Sequence, residues 1–154
     1  MQYPDGEMTQ ERIEEIFEVP HVHDETIWDA LRAIVGGDTP KATVALNSLL
    51  QSVDVFVATS ELSRTLLCVQ ALRSAGGTSP LEIFRRMDLR GKRRQDKMID
   101  IAARMTETGR FLPDLATRLL SLDLALKQSK TAAGRREVFL RTFLVLCGEP
   151  QLAA

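Results

Sequence analysis

Every apolar stretch of this chain recurs at three- and four-residue intervals, and none alternates with the two-residue period of a half-buried strand. That restricts the chain to helices packed on helices. The clearest case is Leu115, Leu119, Leu122 and Leu126, whose 4-3-4 spacing puts four leucines on one stripe of a helix. Asp123 and Lys127 stand four apart at the edge of that stripe, acid first, an arrangement worth only about 0.2–0.5 kcal/mol in water. With 154 residues the chain has the length of one domain and buries roughly 68–70% of its unfolded surface, so its core needs no staple.

Cap and turn chemistry divides the chain into about seven helices. Tyr3-Pro4-Asp5-Gly6 reads as a loop, and Thr9 is placed to cap a short acidic helix running towards Phe17 and stopped by Pro20. Asp24 is expected to cap the next helix, with Ile27, Ala30, Leu31, Ile34 and Val35 inward, Trp28 at the stripe's edge and Gly36-Gly37 at its end. Thr39-Pro40 opens a third, because proline at the first helical position loses no helix hydrogen bond. The segment Val53 to Ala75 is apolar on most sides, which predicts a central helix covered by several neighbours. Ser79-Pro80-Leu81-Glu82 has capping-box form, and Gly91 and Gly109 bound a stripe of Met98, Ile101, Ala102 and Met105. Pro113 is expected to start the leucine helix, and Thr131 to cap a last one with Val138, Phe139, Phe143 and Leu146 inward. The fold class is therefore all-α, a single helical bundle.

Chemistry-bearing residues are sparse. His21-Val22-His23 lacks a third ligand at helical spacing, so a solvated loop is expected rather than a metal site. Gly91-Lys92 is followed by Arg93 instead of Ser or Thr, and Arg86 stands where a phosphate loop needs its first glycine. Glu11, Glu14, Glu15 and Glu18 share a face, the usual look of an exposed acidic helix. Cys68 and Cys147 sit in apolar pattern, as small buried hydrophobes do. No convergent polar set appears, and the expectation is a chain without catalytic residues, metal or cofactor.

Charge is distributed unevenly although the formal net charge is only -1. Residues 1–29 hold nine carboxylates against Arg12, while 85–97 holds Arg85, Arg86, Arg90, Lys92, Arg93, Arg94 and Lys97 against Asp88 and Asp96. The two regions are able to complement each other within the fold or to meet partners. Arg90, Lys92, Arg93, Arg94 and Lys97 are the candidate nucleic-acid contacts, though no interleaved aromatic offers a stacking platform.

Several residues together resemble the C-terminal part of the delta subunit of the bacterial DNA polymerase III clamp loader. Tyr3 to Ile13 is similar to the end of that family's middle lid domain, followed by Ile16-Phe17-Glu18 and by Ile27-Trp28-Asp29-Ala30-Leu31 ahead of Val35-Gly36-Gly37-Asp38. The family has a comparable Gly-Asp turn before its second collar helix. Ala42 to Leu50 is similar to that second helix, Val53 to Ala75 to the long third, and Leu119-x-x-Leu122-Asp123-x-x-Leu126-Lys127 to the penultimate one. The ten-residue interval from Phe17 to Ile27 is longer than the family commonly shows, which marks Pro20 to His23 as an insertion or divergent loop.

The resemblance implies a non-catalytic oligomerisation collar that holds the loader ring during DNA replication. Its partners would be other clamp-loader subunits, with DNA met only indirectly, no membrane and no small-molecule ligand. Residues 1–24 would then be the tail of a lid domain and linker helix, 25–148 the collar and 149–154 a C-terminal tail, with Met1 the start of a fragment. Trp28 and Phe84 are the candidate anchors for a partner, and Asp123 with Lys127 is a family-marker pair. The alternatives are a stand-alone helical adaptor and a helical DNA-binding module led by Arg85 to Lys97. The longest unbroken apolar run, Phe143 to Cys147, is far below the ~18 residues of a spanning helix, and no basic-then-apolar leader is evident, so a cytoplasmic location is expected.

Overall fold

The computed structural model describes residues 21–148, and among them seven α-helices and no strand occur. In chain order they are α1 (His21–Gly36), α2 (Thr39–Ser52), α3 (Val55–Ser74), α4 (Pro80–Arg86), α5 (Lys92–Thr108), α6 (Leu115–Gln128) and α7 (Ala132–Gly148). The expected loop at 1–6, the Thr9-capped helix, and the C-terminal tail at 149–154 lie outside the described residues.

Helix α3 is the axis of the bundle, because a helix apolar on most sides must be covered on most sides. It packs against every other helix, and Ala58, Leu62, Leu66, Cys68 and Val69 are fully enclosed. By length and composition α3 would also be able to cross a membrane. All six other helices contact it, while Phe56 and Val57 in its first turn stay exposed. The predicted leucine stripe forms as drawn: Leu115, Leu119, Leu122 and Leu126 are all buried. Phe139 and Phe143 on α7 meet edge to face with ring centroids 4.9 Å apart, the arrangement the ring quadrupoles favour.

Glycine ends two helices as expected. Gly37 (φ +72°) and Gly109 (φ +69°) each adopt the left-handed conformation, and the following amides of Asp38 and Arg110 reach back to Ala33 O and Met105 O at 2.9 Å. Asp88 ends α4 the same way without glycine, at φ +52°, with Leu89 N bonded to Phe84 O at 2.9 Å. Thr131 caps α7 as predicted, its hydroxyl accepting from Gly134 N at 2.9 Å.

Other boundaries move. Helix α1 begins at His21, not after Asp24, so His21 to His23 are helical rather than a solvated loop and the helix extends into the expected linker. No glycine or proline separates Pro20 from Asp24, and carboxylates within the first turns suit the positive end of a helix as well as a cap does. Asp38, not Thr39, caps α2, accepting from Lys41 N at 3.2 Å and placing Pro40 at the second helical position. The Ser79 capping box does not form. Ser79 makes no side-chain cap bond, and Glu82 turns to Arg85 and Arg86 instead. Helix α6 starts at Leu115 rather than at Pro113, because Asp114 takes a left-handed conformation (φ +54°) that holds the chain out of the helix until the next residue.

Candidate interaction surface

Trp28 and Phe84, the two candidate anchors, are each only 2% exposed. They are core residues and present no area to a partner in this fold. Trp28 falls inward because Lys97 of α5 lies over its ring, 5.2 Å from the centroid, and closes the side that the stripe left open.

Asp123 and Lys127 meet as their four-residue spacing predicts. Lys127 Nζ donates to Asp123 Oδ2 at 2.8 Å, with both side chains substantially in solvent. An exposed pair of this kind contributes little. Asp123→Ala is accordingly expected to change stability by less than about 1 kcal/mol, as read from the urea midpoint.

Arg90, Lys92, Arg93, Arg94 and Lys97 do come together around the start of α5, but many of the cluster's charges are already engaged. Glu82 pairs with Arg85 and Arg86, Asp88 with Arg90 at 3.1 Å, and Glu25 of α1 with Arg93 at 3.2 Å and Lys97 at 3.6 Å. Cations neutralised in place release fewer counterions on meeting a phosphate backbone, which weakens the nucleic-acid reading.

Polar side chains that periodicity did not reveal hold the loops, Gln70 and Arg110 half-buried and Arg64 exposed. Gln70 of α3 spans the backbone of Leu112, donating to its carbonyl at 2.7 Å and accepting from its amide at 3.1 Å. Arg110 donates to Val35 O at 2.6 Å and closes the end of α1, while Arg64 donates to the carbonyls of Met87 and Asp88 at 3.2 and 2.6 Å and closes the end of α4. Their signal in the sequence is faint: isolated polar residues beside helix stripes, with partners 23 to 75 positions away.

Both thiols are enclosed. Burial pushes Cys68 up to about 11, with the charges of Arg64 and Arg94 opposing, and burial also raises Cys147 against its contact with the Thr39 hydroxyl. A thiol raised on folding ionises first in the unfolded chain. Its stabilising contribution is therefore complete below about pH 9 and is lost as pH climbs towards 11. We expect the fall in unfolding free energy over that window to shrink in Cys68→Ala, and thiol reagents to label Cys68 at neutral pH only when the chain opens.

Among the described residues no three His, Cys, Asp or Glu gather as metal ligands do. Several large apolar side chains stay exposed among the described residues, Leu81 of α4 and Val44 of α2 among them. On α6, Leu120 and Leu124 lie opposite the buried stripe, 61% and 52% exposed. Beside them a groove of about 340 Å³ runs between α6 and α7, lined by Thr117, Arg118, Ser121, Ala125, Arg141 and the exposed Val145. The leucines at 120 and 124 fall off the 4-3-4 stripe, which was the sequence signal for them. An amphipathic helix serving only its own core has no need of leucines there. Compared with models of protein families, with curated proteins and with solved structures, the chain matches none.

Proposed function

We propose that this chain is a non-catalytic helical interaction domain, the collar of a bacterial clamp-loader delta subunit, which joins its neighbours into the ring that places the sliding clamp on DNA. The observation that carries the reading is the second leucine face of α6. Leu120 and Leu124 on α6, and Val145 on α7, offer exposed apolar surface that the bundle itself does not use. A helical face of a neighbouring collar domain is the occupant it suits, since an interface core is apolar and its rim polar, as Thr117, Ser121 and Arg141 are here.

Two further features support it. The Gly37-Asp38 turn, with glycine left-handed and aspartate capping, stands between α1 and α2 where the resemblance places a Gly-Asp turn. The Asp123–Lys127 pair and its leucines fall on the penultimate helix. In this reading the protein acts in the cytoplasm and meets DNA only through the assembled loader.

The test is association. The chain mixed with the other subunits of a bacterial clamp loader should enter a complex on size exclusion, and elution as a free monomer beside every subunit would overturn the proposal. A stand-alone adaptor is the competing reading. A reading frame that continues upstream of Met1 into further domains favours the collar, and a stop codon there favours the adaptor.

A further inference from the structure

The outer face of α6 carries a ridge and a groove side by side. Leu120 and Leu124, one turn apart and 61% and 52% exposed, form the ridge. Thr117, Ser121 and Ala125, also four apart, line the groove of about 340 Å³, and Val145 lines it from α7. At about 100° per residue the three small residues lie about 80° round the helix from the two leucines, so the groove runs beside the ridge.

The centre of this face carries no charge. Between Ala116 and Gln128 the charged residues are Arg118, Asp123 and Lys127, all more than about 70° from the face's midline. Asp123 and Lys127 also neutralise each other at 2.8 Å. A patch that meets its own copy must not repel itself. The basic surface from Arg85 to Lys97 fails that condition, and the α6 face meets it.

A ridge beside a groove is also complementary to itself. A two-fold axis running along α6 sets each copy's ridge opposite the other's groove. An axis across α6 would instead set ridge on ridge and leave both grooves unfilled.

We propose that, until a neighbouring domain takes it, this face is covered by a second copy of the chain, with the two α6 helices packed parallel. Leu120 and Leu124 of each copy come level with Ser121 and Ala125 of the other and enter its groove beside Val145. The 14 residues of α6 span about 21 Å, so a face one helix wide offers only a few hundred Å² per copy, against about 800 Å² in a lasting interface. The dimer is therefore weak and reversible, and it gives way to a neighbour that covers more. On the reading of this face as the domain's interaction surface, self-association keeps its leucines out of water before assembly.

The chain alone is the sample, so the outcome depends on no loader subunit. Sedimentation equilibrium should show a monomer–dimer equilibrium with a midpoint near 100 µM to order of magnitude, roughly what a face of this size supports. Leu120→Glu combined with Leu124→Glu should weaken it by about tenfold or more. Orientation is read by disulfides. Cys68 and Cys147 are buried, so an added exposed thiol reports alone. Thr117 and Gln128 lie near the midline of the face, and parallel helices set each against itself. Thr117→Cys and Gln128→Cys should therefore each form a disulfide dimer on oxidation. Antiparallel helices would hold the like positions about 16 Å apart, beyond disulfide reach, and would join 117 to 128 in a mixture of the two variants. A chain that stays monomeric up to about 1 mM, a double glutamate variant that dimerises as the parent does, or a predominant 117–128 product would overturn the parallel dimer. Loss of the dimer with loader binding intact sinks this inference alone, and a dimer without loader binding sinks the collar reading alone.

Discussion

Trp28→Ala is expected to destabilise the isolated chain by about 3–5 kcal/mol, with no partner present. The side chain is 2% exposed, sits among the buried face of α1, and is closed from outside by the Lys97 stem. Removing it deletes a large apolar volume and leaves a cavity that neighbouring helices refill only in part. It also strips Lys97 of the ring beneath its ammonium group. Trp28 is the sole tryptophan, so the loss is best read by circular dichroism in urea rather than by fluorescence. A change below about 1 kcal/mol would mean that Trp28 does not fill the core, and would return it to the role of a partner anchor.

Gln70→Leu should cost about 2–4 kcal/mol, although leucine is similar in size and more apolar. The side-chain amide satisfies both backbone groups of Leu112, a residue only 1% exposed, and so fixes the loop between α5 and α6 onto α3. Leucine leaves an amide and a carbonyl without partners, and each orphaned group costs about 1–3 kcal/mol. Gln70→Glu separates this from packing. It keeps an acceptor for the Leu112 amide but sets a second oxygen against the Leu112 carbonyl, so its deficit should narrow at acid pH, where protonation restores a donor. Equal stability of Gln70→Leu and the parent chain would contradict the clamp.

The residues that were legible in the sequence are those whose role depends on spacing alone. The leucine stripe, the all-round apolar α3, the glycine ends of α1 and α5, and the Thr131 cap each follow from short-range pattern, and all are present. Errors arose where a local signal had a rival. Glu82 has the spacing of a capping box, but arginines three and four positions on compete for its carboxylate and win. Asp24 has cap chemistry, yet nothing before it obliges the helix to wait. Trp28 lay at a stripe's edge, and which side of such an edge is covered depends on Lys97, sixty-nine positions away. The clamps by Gln70, Arg110 and Arg64 depend on contacts of the same long range, which periodicity does not carry. Leu120 and Leu124 fall off the 4-3-4 stripe in the sequence, but whether another helix covers that side of α6 depends on the assembled bundle.

The central claim is that the outer leucine face of α6 joins this domain to a neighbouring collar. Sedimentation of the chain with the remaining subunits of a bacterial clamp loader tests it most directly, run in parallel with Leu120→Glu combined with Leu124→Glu. Both positions are exposed, so the double variant should unfold within about 0.5 kcal/mol of the parent chain. The account predicts that the parent chain co-sediments with the loader while the variant, equally folded, remains free. A parent chain that sediments alone, or a variant that binds as well as the parent, would contradict it.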